Sequence, residues 1–92
     1  MNELSEIRSE IDRIDAEIVS LFVRRLETVE KIAESKRASG RSIVDAEREK
    51  LVRSRIRALA GERYGNDVDL LFTAIFDISK ARQRAILSEG GR

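Results

Sequence analysis

The sequence predicts an all-α protein with a single domain over residues 1–92. Proline is absent and aromatic residues make up only 4% of the chain, whereas hydrophobic residues make up 41% and charged residues 38%. This composition fits helices better than a sheet or a disordered tail. Apolar residues also recur at steps of three and four, which is the spacing of one helix face.

The first predicted helix runs from Leu4 to about Lys36 and stops at Ser39-Gly40, because glycine readily takes the left-handed conformation that closes a helix. Its apolar positions are Leu4, Ile7, Ile11, Ile14, Ile18, Leu21, Phe22, Val29, Ile32 and Ala33. Residues 41–44 are expected to form a short extended link.

Two shorter helices are predicted after the link. Asp45 can cap the second helix, which should run to about Ala60 before Gly61 breaks the pattern. Asn66 or Asp67 can cap the third helix. The apolar positions of the third helix are Val68, Leu71, Phe72, Ile75, Phe76, Ile86 and Leu87.

The length of the first helix predicts a dimer. A helix of about 36 residues is roughly 54 Å long, well beyond the diameter of a compact monomer of this size. It needs apolar partners along its whole length, and an intertwined helical homodimer supplies them.

Charge and composition exclude several functions. With 18 Lys and Arg against 17 Asp and Glu, the net charge of +1 gives no long-range attraction for nucleic acid or an anionic membrane. The chain has no cysteine and no histidine, which excludes disulfides, thiolate chemistry, acid–base catalysis by histidine, and zinc or haem sites of the usual kinds. Because no segment resembles a signal peptide or a membrane span, a cytoplasmic location is expected.

Polar residues interrupt the predicted apolar faces of all three helices. Arg25 and Lys36 fall inside the stripe of the first helix, about 16 Å apart along its axis. Ser79 and Gln83 lie four residues apart in the middle of the third helix's face. Arg48 shares a sector of the second helix with apolar residues, flanked by the carboxylates Asp45 and Glu49. That apolar sector consists of Leu51, Val52, Ile56 and Leu59.

Two interpretations of these residues remain open. A buried charge without compensation costs several kcal/mol, so the cations need counter-charges. Asp15, Asp45 and Glu49 could neutralise them in structural ion pairs, or the cations could reach solvent at helix edges. Alternatively, a small dianion fills a polar pocket between the helices. The ion-pair interpretation is the usual one for a long charged helix, and the inward polar residues on three helices at once make the pocket an equal alternative.

Five parts of the chain, in order, resemble one protein family. They are residues 7–15 (IRSEIDRID), residues 21–25 (LFVRR), Lys36, residues 44–49 (VDAERE) and residues 78–83 (ISKARQ). Together they resemble the all-helical, AroQ-type chorismate mutases, small intertwined dimers with three helices in each chain. The resemblance implies that this chain rearranges chorismate to prephenate, in aromatic amino acid biosynthesis, without a cofactor.

The resemblance also implies which residues bind the substrate. Arg25 would bind a substrate carboxylate together with Arg8, which in this family reaches in from the other subunit. Arg48 and Ser79 would line the carboxylate and ring regions of the substrate. The active site would therefore exist only in the dimer.

For catalysis, the resemblance implies that Lys36 and Gln83 contact the ether oxygen of chorismate, and that Glu49, with Asp45 nearby, accepts a hydrogen bond from the ring hydroxyl. In the rearrangement the C–O bond breaks ahead of C–C formation, so negative charge accumulates on the ether oxygen. A cation and an amide donor placed there stabilise the transition state. With Arg25 orienting the substrate, these residues need no nucleophile and no metal.

Other functions remain open at this stage. Aminodeoxychorismate mutase and isochorismate-pyruvate lyase use nearly the same set of residues on related substrates, and the motifs separate them poorly. A non-catalytic dimerisation or regulatory module would keep the fold and lose the inward polar residues. A generic coiled-coil adaptor is disfavoured by the broken heptads and the buried cations.

Overall fold

The computed structural model of the protein describes residues 2–40 and 44–90. Within those ranges the chain forms three helices and no strand: α1 over Glu3–Ser39, α2 over Ala46–Ala60 and α3 over Gly65–Gly90. The predicted all-α class and the number of helices are therefore confirmed. Residues 41–43 of the predicted link lie outside the described residues. No described helix combines the length and the apolar character needed to cross a membrane.

The predicted helix ends around the first link are confirmed. Gly40 has a φ of 74° and its N–H donates to the Lys36 carbonyl, so it closes α1 in the left-handed conformation. Asp45 caps α2, because its Oδ1 accepts a hydrogen bond from the Arg48 N–H at 2.9 Å. Gly61, with a φ of 80°, ends α2.

The start of α3 differs from the prediction. The helix already begins at Gly65, so Asn66 and Asp67 lie inside its first turn and neither is the N-cap. Asn66 instead uses its Oδ1 to accept a hydrogen bond from Arg57 Nη1 of α2, at 3.0 Å. The Asn66 side chain, which local sequence rules assign to capping, therefore forms a hydrogen bond to another helix instead.

Helix α3 lies at the centre of the fold. It packs against both other helices, whereas α1 and α2 have no Cα atoms within 8 Å of each other. The buried apolar side chains are Val29, Ala33, Ile56 and Phe76. Leu51 and Leu59, predicted to lie on the same inward sector as Ile56, are exposed, because α2 has only α3 as a neighbour among the described residues. The chain thus has a small core and a gap between α1 and α2.

The N-terminal half of α1, residues 3–21, is exposed along its whole length. Six apolar side chains at steps of three and four are 46–59% exposed there: Leu4, Ile7, Ile11, Ile14, Ile18 and Leu21. The longest dimension of the molecule is 57 Å, close to the roughly 55 Å length of a 37-residue helix. A long exposed apolar stripe is typical of a surface that binds another protein.

A cluster around Asp69 joins α2 to α3. Arg53 Nη1 donates to Asp69 Oδ1 at 2.9 Å and to Thr73 Oγ1 at 3.0 Å, and its guanidinium carbon lies 5.0 Å from the ring centre of Phe76. Arg57 Nη2 lies 3.3 Å from Asp69 Oδ2. The hydrogen bond from Arg53 lowers the pKa of Asp69, and the charges of the two arginines add to that effect while desolvation opposes it.

We expect acid to destabilise the fold through Asp69. Because the pKa of Asp69 is lower in the folded chain than its ordinary value of about 3.9, the cluster adds stability that is fully present above that value. This stability is lost as the pH falls through the folded-state pKa. Urea unfolding at a series of acid pH values measures the loss, and Asp69→Asn should be less stable at neutral pH with a shallower acid dependence. Asp67→Asn, an exposed neighbour, is the control; equal acid dependence in Asp69→Asn and the wild type would contradict this assignment.

Candidate active site

A cavity of about 340 Å³ lies between the C-terminal half of α1, the first half of α2 and the central part of α3. This volume lies in the range of small-molecule sites in proteins. The residues that line it are Arg25, Val29, Ile32, Lys36, Asp45, Arg48, Glu49, Val52, Phe76, Ser79, Lys80 and Gln83. All the site residues predicted from the sequence are among them except Arg8.

Arg25 is a half-buried cation held in place from α3. Its Nη1 donates a hydrogen bond to Ser79 Oγ at 2.8 Å, and its guanidinium carbon lies 5.8 Å and 6.0 Å from the ring centres of Phe72 and Phe76. Burial lowers the pKa of Arg25, and the positive charge of Arg48 lowers it further. None of these contacts supplies a negative charge, so the guanidinium is fixed but not neutralised.

The cavity contains arginines without acidic partners. Within the described residues, neither Arg25 nor Arg48 has a carboxylate oxygen within 4.0 Å. Lys36, half-buried on α1, adds a third cation to the same lining. The two arginines, which lack carboxylate partners, favour binding of an anion, because guanidinium groups bind carboxylates with two parallel hydrogen bonds.

The acids that the sequence offered as counter-charges do not pair with Arg25 or Arg48. Asp45 caps α2 through the Arg48 backbone N–H, and Glu49 Oε1 lies 3.2 Å from Lys80 Nζ. Asp15 lies on the exposed half of α1, away from the cavity. Internal ion pairing with these acids therefore does not account for Arg25 and Arg48.

Gln83 and Ser79 are buried on α3, as predicted from their positions on its face. The Gln83 side chain is only 7% exposed, and its Oε1 accepts no hydrogen bond from the described part of the chain. A buried polar atom without a partner costs about 1–3 kcal/mol. Gln83 lines the cavity, so a bound molecule can contact its amide.

Arg8 is the predicted site residue that the chain does not bring to the cavity. It lies in the exposed half of α1, 17 residues before Arg25, which corresponds to about 26 Å along one helix. No arginine side chain spans that distance. Within one chain the cavity is therefore formed without Arg8.

Sequence reasoning missed several cavity residues. Lys80 lies beside Ser79, three residues before Gln83, but a lysine at the edge of a helix face gave no signal that separates it from an exposed one. The apolar lining residues gave no separate signal, because their spacing is that of any helix core. They are Val29, Ile32, Val52 and Phe76. Among the described residues there is no group of three acidic, histidine or cysteine side chains that could hold a metal ion.

Comparison with known proteins relates this arrangement to one family. A family model described as chorismate mutase type II matches residues 7–84. The chain is 36% identical over 92 residues to the chorismate mutase of Methanocaldococcus jannaschii, with 97% of the chain and 92% of that relative aligned. The comparison with solved structures gave no significant match.

Two further relatives are much longer than this chain. The T-protein of Haemophilus influenzae is 38% identical over 71 residues, which cover 77% of the chain and 19% of that protein. The bifunctional chorismate mutase/prephenate dehydratase of Buchnera aphidicola is 36% identical over 90 residues, covering 96% of the chain and 23% of the relative. The chain therefore spans about a fifth of the length of these two relatives.

Proposed function

The chain belongs to the chorismate mutase type II family of isomerases, and from that premise we propose that its cavity binds chorismate and rearranges it to prephenate. One observation carries the proposal: Arg25 and Arg48, without carboxylate partners in the described chain, share a cavity with the buried amide of Gln83. Chorismate is a dianion with an ether oxygen. The two guanidinium groups match its carboxylates, and the amide N–H of Gln83 can donate a hydrogen bond to the ether oxygen.

The carboxylates of chorismate provide the orientation for the reaction. In the proposed complex Arg25 and Arg48 bind them with charge-assisted hydrogen bonds, and Ser79 holds the Arg25 guanidinium through its 2.8 Å hydrogen bond. A substrate held in a folded, chair-like conformation reacts without a further loss of rotational freedom. These residues therefore act mainly by restraint.

Stabilisation of charge at the breaking bond is the second contribution. The C–O bond breaks while the new C–C bond forms within the same molecule, and electron density shifts to the ether oxygen. Lys36 and the Gln83 amide N–H are proposed to donate hydrogen bonds to that oxygen. Each is worth more in the transition state than in the ground state, on the order of 3 kcal/mol for one such donor.

Glu49 is proposed to accept the hydrogen bond from the ring hydroxyl. A carboxylate has two oxygens and about four lone-pair positions, so the contact with Lys80 leaves room for a hydroxyl donor. The nearby Asp45 already accepts a hydrogen bond as the cap of α2, which supports Glu49 as the main acceptor.

We further propose that the active form is a homodimer to which Arg8 is contributed in trans. The exposed stripe on α1 has a seven-residue repeat, with Leu4, Ile11 and Ile18 on one line, which is typical of paired helices. An antiparallel α1 pair centred between residues 16 and 17 would lay residue 8 of one chain beside residue 25 of the other. Arg8 of one chain would then complete the carboxylate site of the other chain. Within its own chain Arg8 lies about 26 Å from Arg25 along the helix.

The direct test of the function is turnover. The purified protein is mixed separately with chorismate, isochorismate and aminodeoxychorismate, and loss of each is followed by ultraviolet absorbance. We expect acceleration with chorismate and formation of prephenate. If none of the three disappears faster than in buffer, the enzymatic function is wrong; faster loss of either other substrate assigns the site to that reaction instead.

Activity should be nearly independent of pH across the neutral range. An amide donates its hydrogen bond without being protonated, so Gln83 needs no titration to act at the ether oxygen. In Gln83→Glu the side chain must carry a proton to donate, so its activity should fall as the pH rises above the carboxyl pKa. A kcat/KM profile of both proteins measures this difference, and a wild-type enzyme that loses activity above about pH 6 would contradict the role of Gln83.

A further inference from the structure

Lys80 lines the cavity and contacts Glu49, but it has no role in the proposed catalytic scheme. Lys80 Nζ lies 3.2 Å from Glu49 Oε1 and 3.9 Å from Asp77 Oδ1. The side chains of Lys80 and Glu49 are 23% and 28% exposed, whereas that of Asp77 is 73% exposed and does not line the cavity. The ammonium group is therefore held at the cavity wall beside Glu49.

The lining has a charge that suits one type of ligand. Four cations and two carboxylates line the cavity, so one chain contributes a net charge of +2. In the proposed dimer Arg8 adds one more positive charge, and a dianion whose remaining polar group is a neutral hydroxyl offsets most of the total. A ligand of the same shape with an ammonium group in place of the hydroxyl carries one negative charge less and leaves more of the positive charge uncompensated.

A carboxylate without a neighbouring cation would favour a substrate amine over a hydroxyl. An ammonium donates a charge-assisted hydrogen bond to a carboxylate, roughly twice as strong as the neutral bond from a hydroxyl. Glu49 without a cation beside it would therefore favour a substrate amine. With Lys80 already paired to it, its negative charge is largely compensated, and a second ammonium at Glu49 would lie close to Lys80 Nζ and be repelled.

We propose that Lys80 is a specificity-determining residue, which makes the site select a ring hydroxyl over a ring amine and hence chorismate over aminodeoxychorismate. The inference rests on the proposed function, because it takes Glu49 as the group that meets the ring substituent. Repulsion between like charges is the element that rejects the wrong substrate.

The test compares kcat/KM for the two substrates in four variants and the wild type. Lys80→Met and Lys80→Gln each remove the charge, so that the result does not depend on one variant folding. Lys80→Arg keeps the charge. Lys50→Met, at an exposed lysine on α2 that does not line the cavity, controls for the loss of a surface charge. The wild type is measured in parallel.

We expect the ratio of kcat/KM for chorismate to that for aminodeoxychorismate to fall about tenfold or more in Lys80→Met and Lys80→Gln, mainly because the amine substrate is used better. Lys80→Arg and Lys50→Met should retain the wild-type ratio. If the wild type rearranges chorismate but the ratio in the charge-removing variants stays within twofold, or both substrates lose activity equally, Lys80 does not set specificity. A wild type inactive on chorismate would instead overturn the proposed function itself.

Discussion

Lys36→Ala should lower kcat by roughly 10²–10³-fold, the size of effect seen when one donor to a developing negative charge is removed. Lys36 lines the cavity as a half-buried cation, and the mechanism assigns it to the ether oxygen, where charge appears only as the C–O bond breaks. Its loss should therefore reduce kcat more than it raises KM. Steady-state rates of chorismate loss for the variant and the wild type measure both quantities.

The control for this prediction is Lys31→Ala. Lys31 is exposed on the same helix and does not line the cavity, so its activity should remain near that of the wild type. Circular dichroism and urea unfolding of both variants show whether the helices are intact. If Lys36→Ala were folded and retained more than a fifth of the wild-type kcat, Lys36 would not be a catalytic residue.

Mixing two inactive variants should restore activity. Arg8→Ala and Arg25→Ala are each expected to lose nearly all turnover, because each removes a guanidinium from every carboxylate site. In a heterodimer of the two, one site loses both arginines and the other keeps both. Random subunit exchange should therefore recover about a quarter of the wild-type activity. The measurement is the rate of chorismate loss after the mixture is unfolded in denaturant and refolded together.

The same experiment contains its own controls. Each variant refolded alone should stay inactive. A further control is Arg13→Ala, because Arg13 is exposed on the same half of α1 and is not among the positions assigned to the substrate. This variant should be active without complementation. Size-exclusion chromatography establishes whether the refolded species are dimers. If dimers form and the mixture stays as inactive as its components, the two arginines do not act at a shared site across subunits.

Local sequence rules predicted most of the helix boundaries. Gly40 and Asp45 act where the sequence placed them, because a left-handed closing residue and a capping carboxylate satisfy backbone groups within one turn of themselves. The start of α3 was predicted wrongly by two to three residues. There the Oδ1 of Asn66 accepts a hydrogen bond from Arg57 of another helix, and such a partner cannot be read from local sequence.

Most of the polar residues of the site were also predicted from the sequence, although their contacts with one another were not. Arg25, Ser79 and Gln83 were found because polar residues on a predicted apolar face are unusual, and the family motifs then grouped them with the acids of α2. Lys80 was missed, because its charge at the edge of the α3 face is what any exposed helix position carries. Only its distance of 3.2 Å from Glu49 distinguishes it.

By itself the sequence determined the helical class, the three helices and the polar residues that face inward, since periodicity and capping act over a few neighbouring residues. Only the tertiary structure decided how the charges are partnered. It left Arg25 and Arg48 without carboxylates in the described chain, paired Glu49 with Lys80 instead, and left the Oε1 of Gln83 on the cavity wall without a hydrogen bond from the described chain. Electrostatic pairing depends on distances of a few ångströms between helices, and residues far apart in the chain set those distances only when they pack.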